Sequence, residues 1–497
     1  MAASMSRSVD RTGVPGLDDV LLGGLAVGRV FLLEGSPGTG KTTMAMRFLL
    51  EGAEAGQRGL YITLSETEAE LHATAESHGW EMGDNVEIFE VVPPESLFDA
   101  SQQQSLLYSS DLELGETTKL IFEAVEQSKA QRIVLDSLSE IRLLAQSSLR
   151  YRRQILAMKH YFARHGATVL MLDDLTTDIH DKTVHSVAHG VIRLEEMTPD
   201  YGGERRRLRV MKYRAQGFRG GYHDFVIRPG GARVFPRLVA AESRRSSSRG
   251  RIGTGLPALD GLLGGGIEQG TSTLLVGPAG CGKSTLGWQF AAEAIRNGDK
   301  AAMFVFDEEL DLIVDRAKPL GFDFAAMRAT GRLQMTQLDA AELSPGEFAH
   351  VVQSAASDPS MKSVVIDSLN GYQAAMPEER SLILHMHELV QYLNRTGVST
   401  FVTVAQQGIV GDMKSPVDVT YLADAVILLR FFEAGGSVRR ALSVIKKRGG
   451  RHEDTIREFW IDRGLHIGEP LVEFQGVLRG TPSYPEGRAP SRPARRG

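Results

Sequence analysis

Short apolar runs alternate with longer amphipathic stretches along the chain. The first half contains RVFLLEG, LYITLSE, RIVLDS and TVLMLDD, and the second contains TSTLLVG, MFVFDEE, SVVIDS and TFVTVAQ in the same order. Helical spacing, as in TTMAMRFLLEGAEAG, follows the first run. Strands that alternate with helices predict a mainly parallel sheet covered on both faces, whose strands are apolar throughout. Each half is therefore predicted to be an α/β domain.

The two halves repeat one another. TGVPGLDDVLLGGLAVGRVFLLEG begins at Thr12 and TGLPALDGLLGGGIEQGTSTLLVG begins at Thr254, and further matching blocks follow in the same order. Such a repeat predicts a tandem domain duplication. The predicted organisation is a first domain over 1–239, a polar linker over 240–251, a second domain over 252–479 and a disordered basic tail over 480–497.

Composition narrows the class of protein. The 497 residues are 42% hydrophobic and 24% charged, as in soluble globular proteins. The net charge of −6 shows no chain-wide bias toward nucleic acid. A single cysteine excludes an intramolecular disulfide and a cysteine-cluster zinc site. Neither a transmembrane-length apolar run nor an apolar signal core is present, so we expect a cytoplasmic protein that does not contact membranes.

Two segments match the phosphate-binding pattern G-x4-G-K-[ST], and each follows an apolar strand and opens a helical stretch. Glycines let backbone N–H groups turn toward phosphates, and the helix N-terminus adds its positive end. Lys41 and Lys283 would reach the β- and γ-phosphates, while Thr42 and Ser284 would hold Mg²⁺. The predicted nucleotide-binding residues are Gly35, Ser36, Pro37, Gly38, Thr39, Gly40, Lys41, Thr42, Thr43, Gly277, Pro278, Ala279, Gly280, Cys281, Gly282, Lys283, Ser284 and Thr285.

Asp136 and Asp367 each end an apolar strand and precede a serine. A carboxylate there lies at the carboxyl edge of the sheet, beside the phosphate loop, and can hold a magnesium-bound water. An aspartate after a strand is also a common helix cap, a role that DSLSE would suit. Its position behind a phosphate loop in both halves favours the metal role.

Hydrolysis requires a base or water-positioning group near the γ-phosphate. Ser65-Glu66 and Asp307-Glu308, at the end of the second strand in each half, supply candidates. Adjacent side chains on a strand point to opposite sides, so at most one acid of a pair faces the phosphate. The alternative is a solvated acidic surface.

Basic pairs follow strands late in each half, at Lys212-x-Arg214 and Lys446-x-Arg448. The two-residue period of a strand places both side chains of a pair on one face. One interpretation is a cation clamp on a nucleotide held by a neighbouring subunit. The other is an ordinary solvated edge strand.

Together these blocks resemble the KaiC family of RecA-like ATPases, across roughly residues 8–482. The resemblance is carried by TGVPGLDDVLLGG, RIVLDSLSEI, GERRRLRVMKYRAQG, LADAVILLRFFE and IKKRGGRHEDTIREFWI. It implies two stacked RecA-like P-loop domains, a homo-hexameric double ring, ATP between subunits, and KaiB-like or other signalling partners. The residues that would reach a neighbour's nucleotide are then Lys212, Arg214, Lys446 and Arg448, and His452 matches a family position near the phosphates.

The resemblance also assigns the acids. The family typically has two adjacent glutamates after the second strand of each domain. Here Ser65 replaces one, so that hydrolysis in the first domain would rest on Glu66. In the second domain the catalytic acids would be Asp307 and Glu308, and the shorter Asp307 displaces its carboxylate by roughly 1 Å relative to glutamate.

A phosphorylation hypothesis comes from the same resemblance, because the second domain of the cyanobacterial clock protein phosphorylates a Ser-Thr pair on a neighbouring subunit. Alignment through DAVILL places Thr420 and Tyr421 at these positions. Serine/threonine autokinase activity on Thr420 is therefore a hypothesis, beside the alternative of a β-favouring residue near a strand. The first half, read from VAHGVIRL at 187–194, has no hydroxyl at the matching positions nearest the strand.

Two further readings remain open. A RecA-type DNA-dependent ATPase needs basic pore loops, for which ERRR at 204–207 is the best local candidate. A nucleotide-switched scaffold would bind ATP in both domains and hydrolyse little. Both phosphate loops are intact in sequence, and we expect alkylation of Cys281 to block the second one selectively.

Overall fold

The structure is a computed structural model that describes residues 8–91, 106–175, 183–198, 202–243, 250–376, 379–408 and 420–479. The chain divides into two compact units, Met1–Arg237 and Leu238–Gly497. The predicted tail over 480–497 and positions 244–249 of the predicted linker lie outside the described residues. None of the described helices is long and apolar enough to cross a membrane.

The first unit alternates strands and helices, as its apolar pattern predicts. Its strands are β1 Val9–Asp10, β2 Leu25–Ala26, β3 Val30–Gly35, β4 Gly59–Thr63, β5 Val86–Glu90, β6 Arg132–Asp136, β7 Thr168–Asp174, β8 Gly190–Met197, β9 Arg205–Tyr213, β10 His223–Arg228 and β11 Gly231–Phe235. Its helices are α1 Leu17–Val20, α2 Lys41–Glu54, α3 Glu68–Ser77, α4 Leu106–Ser128, α5 Leu138–Ala145, α6 Ser148–His165 and α7 Thr183–Val187.

The second unit repeats this order. Its strands are β12 Arg251–Ile252, β13 Ile267–Glu268, β14 Ser272–Gly277, β15 Lys300–Val305, β16 Leu333–Gln337, β17 Met361–Asp367, β18 Ser399–Ala405, β19 Ala425–Ala434, β20 Ser437–Lys447, β21 Arg457–Ile461 and β22 Leu465–Pro470. Its helices are α8 Pro257–Leu262, α9 Lys283–Arg296, α10 Leu310–Ala317, α11 Phe324–Ala329, α12 Pro345–Ala356, α13 Leu369–Ala375 and α14 Glu379–Thr396. Short 3₁₀ helices occupy Ala240–Glu242, Lys318–Leu320 and Val477–Arg479.

Each unit is built on one nine-stranded sheet with the same topology. The orders are β11-β10-β9-β8-β3-β7-β6-β4-β5 and β22-β21-β20-β19-β14-β18-β17-β15-β16. The six strands from β8 to β5, and from β19 to β16, are parallel, and the remaining three in each sheet form antiparallel extensions. The predicted fold class, two tandem RecA-like α/β domains, is confirmed.

Apolar cores lie on both faces of each sheet. In the first unit, Phe48 of α2 belongs to one core and Ile155 of α6 to the other. Burial of large apolar side chains contributes about 1.5–3 kcal/mol each, so these two layers fix the sheet between its helices.

The junction between the predicted first domain and the predicted linker packs on the second unit. Leu238 and Ala240 are buried in that unit's core together with Leu389 of α14. The Ala240 N–H also donates to Glu388 Oε2 at 3.0 Å. Positions 238–242 therefore belong structurally to the second unit, whereas the sequence pattern predicted 238–239 in the first domain and 240–242 in the linker.

Two candidate nucleotide sites

Sheet order gathers the functional side chains at one edge. In a parallel sheet all carboxyl ends lie on the same side, and ligands bind there where neighbouring connections diverge. Strands β3, β7, β6 and β4 are consecutive neighbours, and Gly35 lies opposite Asp174 while Thr63 lies opposite Asp136. The phosphate loop and the ends of three other strands thus share one edge.

The two phosphate loops have the same backbone conformation. Gly38 and Gly40 have φ of 82° and 94°, and Gly280 and Gly282 have φ of 76° and 104°. This left-handed region is open to glycine at little cost, which explains the residue type. Each loop then enters a helix directly, α2 at Lys41 and α9 at Lys283. Thr42 and Ser284 follow in the first turn.

The two lysines curl back over their own loops. Lys41 Nζ donates to Gly35 O at 2.9 Å and to Ser36 O at 3.0 Å. Lys283 Nζ donates to Pro278 O at 2.7 Å. Burial lowers the pKa of Lys283, and the charges of Cys281 and Asp367 oppose this shift. Both ammonium groups are therefore held at the loop, where a phosphate would lie.

Thr39 and Cys281 occupy the same place beneath the two loops. Thr39 Oγ1 donates to Ser36 O at 2.7 Å, and Cys281 Sγ lies so close to Gly277 that a Cβ there would meet it at 2.8 Å. Cys281 is 0% exposed, and burial raises the pKa of its thiol. The expected selective alkylation of the second loop is therefore wrong for the folded chain, because the thiol is neither accessible nor readily ionised.

Asp136 lies at the end of β6, where a buried tyrosine holds it. Tyr61 Oη donates to Asp136 Oδ2 at 2.6 Å, and the Thr42 hydroxyl lies near the same carboxylate. Burial raises the pKa of Asp136, while the hydroxyls of Tyr61 and Thr42 oppose the shift. The carboxylate and the predicted magnesium hydroxyl, Thr42, are thus brought together.

Asp367 ends β17 in the corresponding position but has different support. Thr403 of β18 donates to Asp367 Oδ1 at 2.6 Å. The Asp–Ser peptide bond that follows is cis, as it also is after Asp136. The predicted cap role belongs to the next residue, because Ser368 Oγ accepts from Gly371 N at 3.1 Å. Asp367 itself remains directed to the site edge.

Glu66 faces the first site. Its backbone is locked by Thr63, whose hydroxyl accepts from Glu66 N at 2.9 Å and donates to Glu66 O at 2.7 Å. Thr67 then caps α3, with a reciprocal bond to Glu70. Burial raises the pKa of Glu66, and the charges of Asp136, Glu70 and Asp174 add to the effect. Glu66 Oε2 is buried without a hydrogen-bond partner among the described residues.

The two acids of the second domain diverge in the bend that follows β15. Asp307 Oδ2 accepts from Ser368 Oγ at 2.8 Å, next to Asp367. Glu308 instead forms a two-point ion pair with Arg316 of α10, at 2.5 and 2.7 Å. Arg316 is further held over the Trp288 ring, 5.0 Å from its centroid. Asp307 therefore lies beside the predicted metal residue, and Glu308 has a competing partner.

Asp174 is the residue that sequence reasoning missed. Its Oδ1 lies 2.7 Å from Lys41 Nζ, at the end of β7. The second domain has Ala405 at this place, opposite Gly277. The signal was present in TVLMLDD, because an acid at the carboxyl end of any central parallel strand approaches the ligand edge.

The basic pairs hold carbonyls of the segment that precedes β8 or β19. Lys212 Nζ donates to His185 O at 2.5 Å and Lys446 Nζ donates to Thr420 O at 2.9 Å. Arg214 donates to Ser186 O at 2.6 Å, and Arg448 donates to Tyr421 O at 2.8 Å.

These bonds match Thr420 with His185, and Tyr421 with Ser186. The first half therefore has a hydroxyl, Ser186, at one matching position, and the expectation of none is wrong. Ser186 directly precedes the segment VAHGVIRL, whose own positions hold no hydroxyl.

Other predicted site residues lie farther from the phosphate loops or turn away. His452 Nε2 lies 3.4 Å from Asp454 Oδ1 on the connection between β20 and β21. That connection is tied to the C-terminal end of α8, where Glu453 N donates to Leu262 O. Thr43 Oγ1 contacts His78 Nε2 at 3.2 Å, and Thr285 is buried.

The residues present fit a magnesium nucleotide. A Cβ on Gly38 or Gly280 would meet no atom nearer than 3.9 Å, so space lies in front of each loop. No group of three or more metal-binding side chains is found in the described part of the chain. Mg²⁺ would therefore rely on Thr42 or Ser284, nearby Asp136 or Asp367 through water, and phosphate oxygens, as is usual for this ion.

Comparison with known proteins agrees with this geometry. The family model described as "ATPase: KaiC" matches twice, at residues 10–239 and 252–471. The circadian clock protein KaiC3 of Synechocystis sp. is 29% identical over 483 residues, covering 95% of this chain and 94% of that protein. The circadian clock oscillator protein KaiC of Synechococcus elongatus is 27% identical, covering 95% and 91%. The chain belongs to the KaiC family of ATPases, with the family domain present in tandem.

Proposed function

We propose that this protein binds Mg·ATP at both phosphate loops and hydrolyses it predominantly at the first. Lys41 and Lys283 would contact the β- and γ-phosphates, and Thr42 and Ser284 would contact the metal. Asp136 and Asp367 would hold magnesium-bound water. Membership of an ATPase family supports the activity, and the loop geometry supports these residue roles.

The observation that carries the proposal is the state of Glu66. A buried carboxylate oxygen without a partner is costly, and such groups often serve a functional site. Burial and neighbouring carboxylates raise the pKa of Glu66, which brings it nearer to that of a useful proton acceptor. Glu66 would orient an attacking water and accept its proton.

The second site lacks an equivalent carboxylate in that state. Asp307 is exposed and bonded to Ser368, and Glu308 is engaged by Arg316. We therefore propose slower hydrolysis and longer retention of ATP in the second domain. This difference is what a transfer of the γ-phosphate to a protein hydroxyl would require, because water attack competes with it.

The test is turnover of the full-length chain with each acid neutralised. In a Lys283→Ala background, which isolates the first site, Glu66→Gln should lower phosphate release by about a hundredfold or more. Glu68→Gln, an exposed neighbour, is the charge-matched control. In a Lys41→Ala background, Glu308→Gln should change the rate less than Asp307→Asn does. Unchanged rates for Glu66→Gln would refute the catalytic role and favour a nucleotide-switched scaffold.

We also propose a homo-hexamer with nucleotides between subunits, as the family resemblance implies. Lys212, Arg214, Lys446 and Arg448 then act on a neighbour's nucleotide, and His452 lies near its phosphates. Native mass spectrometry with and without ATP tests the assembly. Substitution of Arg448 by alanine should reduce ATP turnover in the assembled protein while leaving the monomer folded.

Autophosphorylation of Thr420 belongs to the same proposal. Thr420 is exposed, and Lys446, the cation proposed to reach nucleotide, donates to its carbonyl. Intact-mass measurement after incubation with ATP should show added phosphate that Thr420→Ala abolishes and Tyr421→Phe retains. No added mass would refute it. A regulatory role in the cytoplasm, with KaiB-like or other signalling partners, is proposed by the same resemblance.

The DNA-dependent alternative is not favoured. The basic run on β9 is neutralised by β8, because Arg206 pairs with Glu196 at 2.9 Å and Arg207 pairs with Glu195 at 2.8 Å. Arg207 is also stacked on Tyr222, 3.9 Å from the ring centroid. These two arginines are committed within the domain, which reduces the cationic surface that the ERRR run could offer to a phosphate backbone.

A further inference from the structure

The end of β7 gives the first phosphate loop an ion pair with its own lysine. Lys41 Nζ lies 2.7 Å from Asp174 Oδ1, and the two side chains are 8% and 29% exposed. Strand register places Asp174 directly opposite Gly35, the first glycine of the loop. The carboxylate therefore approaches the lysine from the neighbouring strand, outside the loop itself.

This pair completes the hydrogen bonding of the ammonium group. A lysine ammonium has three N–H donors. The acceptors around Lys41 are Gly35 O, Ser36 O and Asp174 Oδ1. A phosphate oxygen that contacts Lys41 must therefore displace one of them. The two carbonyls belong to the loop backbone, so the mobile competitor is the carboxylate.

The second domain has no such competitor. Its matching residue opposite Gly277 is Ala405, whose methyl group accepts no hydrogen bond. Within the described residues, Lys283 Nζ donates to a single acceptor, Pro278 O. Donors remain for a phosphate oxygen without displacement of a side chain. The duplication has thus kept both loops and changed what surrounds their lysines.

We propose that Asp174 sets the nucleotide affinity of the first domain by competing with the phosphates of a nucleoside triphosphate for Lys41. This inference rests on the proposed nucleotide binding at that loop. Displacement of the carboxylate costs the ion pair, and its negative charge then lies close to the phosphate oxygens. Both effects weaken binding in the first domain relative to the second.

A second consequence distinguishes Asp174 from a purely structural residue. Its charge is among the causes that raise the pKa of Glu66 and of Asp136, after burial. Removing the charge should lower the pKa of Glu66. The acidic limb of the first site's pH–rate profile should then move to lower pH, because Glu66 stays ionised further into the acidic range.

The experiment exchanges the two residues in full-length protein. In the Lys283→Ala background, equilibrium binding of ATP is measured for Asp174→Ala, Asp174→Asn and the control Glu196→Gln. Glu196 is a suitable control because its carboxylate lies near Gly38 of the phosphate loop but pairs with Arg206 instead of Lys41. In the Lys41→Ala background, Ala405→Asp installs the carboxylate beside the second lysine.

We expect both Asp174 variants to bind ATP about tenfold more tightly, because the partly exposed ion pair no longer has to be broken. Glu196→Gln should change the affinity less than about threefold. Ala405→Asp should weaken the second site by a similar factor. Unchanged or weaker binding by both Asp174 variants would overturn the inference while leaving the proposed function intact. If neither Lys283→Ala nor Lys283→Ala combined with an Asp174 substitution binds ATP, the proposal of a nucleotide site in the first domain is refuted, and the inference with it.

Discussion

Removal of a single hydroxyl, by Tyr61→Phe, tests how the first site holds Asp136, the carboxylate proposed to hold magnesium-bound water. Tyr61 is 0% exposed and Asp136 is 6% exposed, and the hydrogen bond between them is 2.6 Å long. Burial and the adjacent Asp136 charge raise the pKa of Tyr61 well above its usual value, so the phenol remains the donor. Phenylalanine keeps the ring packing and deletes only the bond.

The magnitude follows from the charge state of Asp136. A hydrogen bond to a charged group contributes about 1.5–3 kcal/mol, so we expect a loss of about 2 kcal/mol near neutral pH. Burial already raises the pKa of Asp136, and loss of the donor raises it further.

The direction of the pH dependence follows from the raised pKa of Asp136. When the pKa of an acid is higher in the folded state than in the unfolded state, the free energy of unfolding decreases as pH rises through the folded-state pKa. Tyr61→Phe increases that loss. When Asp136 becomes protonated at acidic pH, only a neutral hydrogen bond is missing, and the penalty should fall to about 1 kcal/mol.

Hydrogen exchange measured by mass spectrometry resolves the two domains in one chain, because protection reports local opening free energy. Tyr61→Phe should reduce protection in β4 and β6 and leave β17 and β18 unchanged. Thr403→Val, which removes the donor to Asp367, should have the reverse pattern. A penalty that is equal at acidic and neutral pH, or that appears in both domains, would refute the reasoning.

Three other results are expected. Thiol reagents should label Cys281 in urea but not in the folded chain, since the group is buried and its pKa is raised; rapid native labelling would contradict this. Glu34→Gln should lower the melting temperature near neutral pH. Burial raises the pKa of Glu34, but its partners, including Arg193 at 2.7 Å, outweigh burial and lower the pKa. The stability that Glu34 contributes should therefore disappear as pH falls through this pKa, and equal melting temperatures of the variant and the parent at neutral pH would contradict the prediction. Arg316→Ala should release Glu308 and raise second-domain turnover several-fold, whereas an unchanged rate would show that the ion pair does not restrain it.

The sequence allowed the fold to be predicted because backbone requirements leave strong traces. Strands buried on both faces are apolar throughout, and glycines with positive φ occur where the loops turn. Gly38, Gly40, Gly280 and Gly282 all have such conformations. The two loops and their flanking segments repeat at a spacing of 242 residues, so the fold predicted for the first domain applies to the second as well.

Side-chain partners were not predictable in the same way. Lys41 and Asp174 are 133 positions apart, and their contact depends on β7 lying between β3 and β6 in the sheet. Glu34 sits within the apolar run RVFLLEG, and its partners His185 and Arg193 come from a distant helix and strand. Periodicity predicts which face of a strand a side chain lies on but not which strands are its neighbours. These contacts could therefore be identified only once the strand order of the sheet was known.

The location of the differences explains how two copies of one loop can acquire separate tasks. The phosphate cradle is made by backbone N–H groups and glycine conformations, which side-chain changes nearby do not disturb. The differences lie in side chains around the strand ends, which do not form the cradle. Asp174 places a carboxylate beside Lys41, where the second domain has Ala405 opposite Gly277. Glu66 Oε2 has no hydrogen-bond partner among the described residues, whereas Glu308 is bound by Arg316. Selection on such positions can change affinity and turnover in one domain while both retain the same fold.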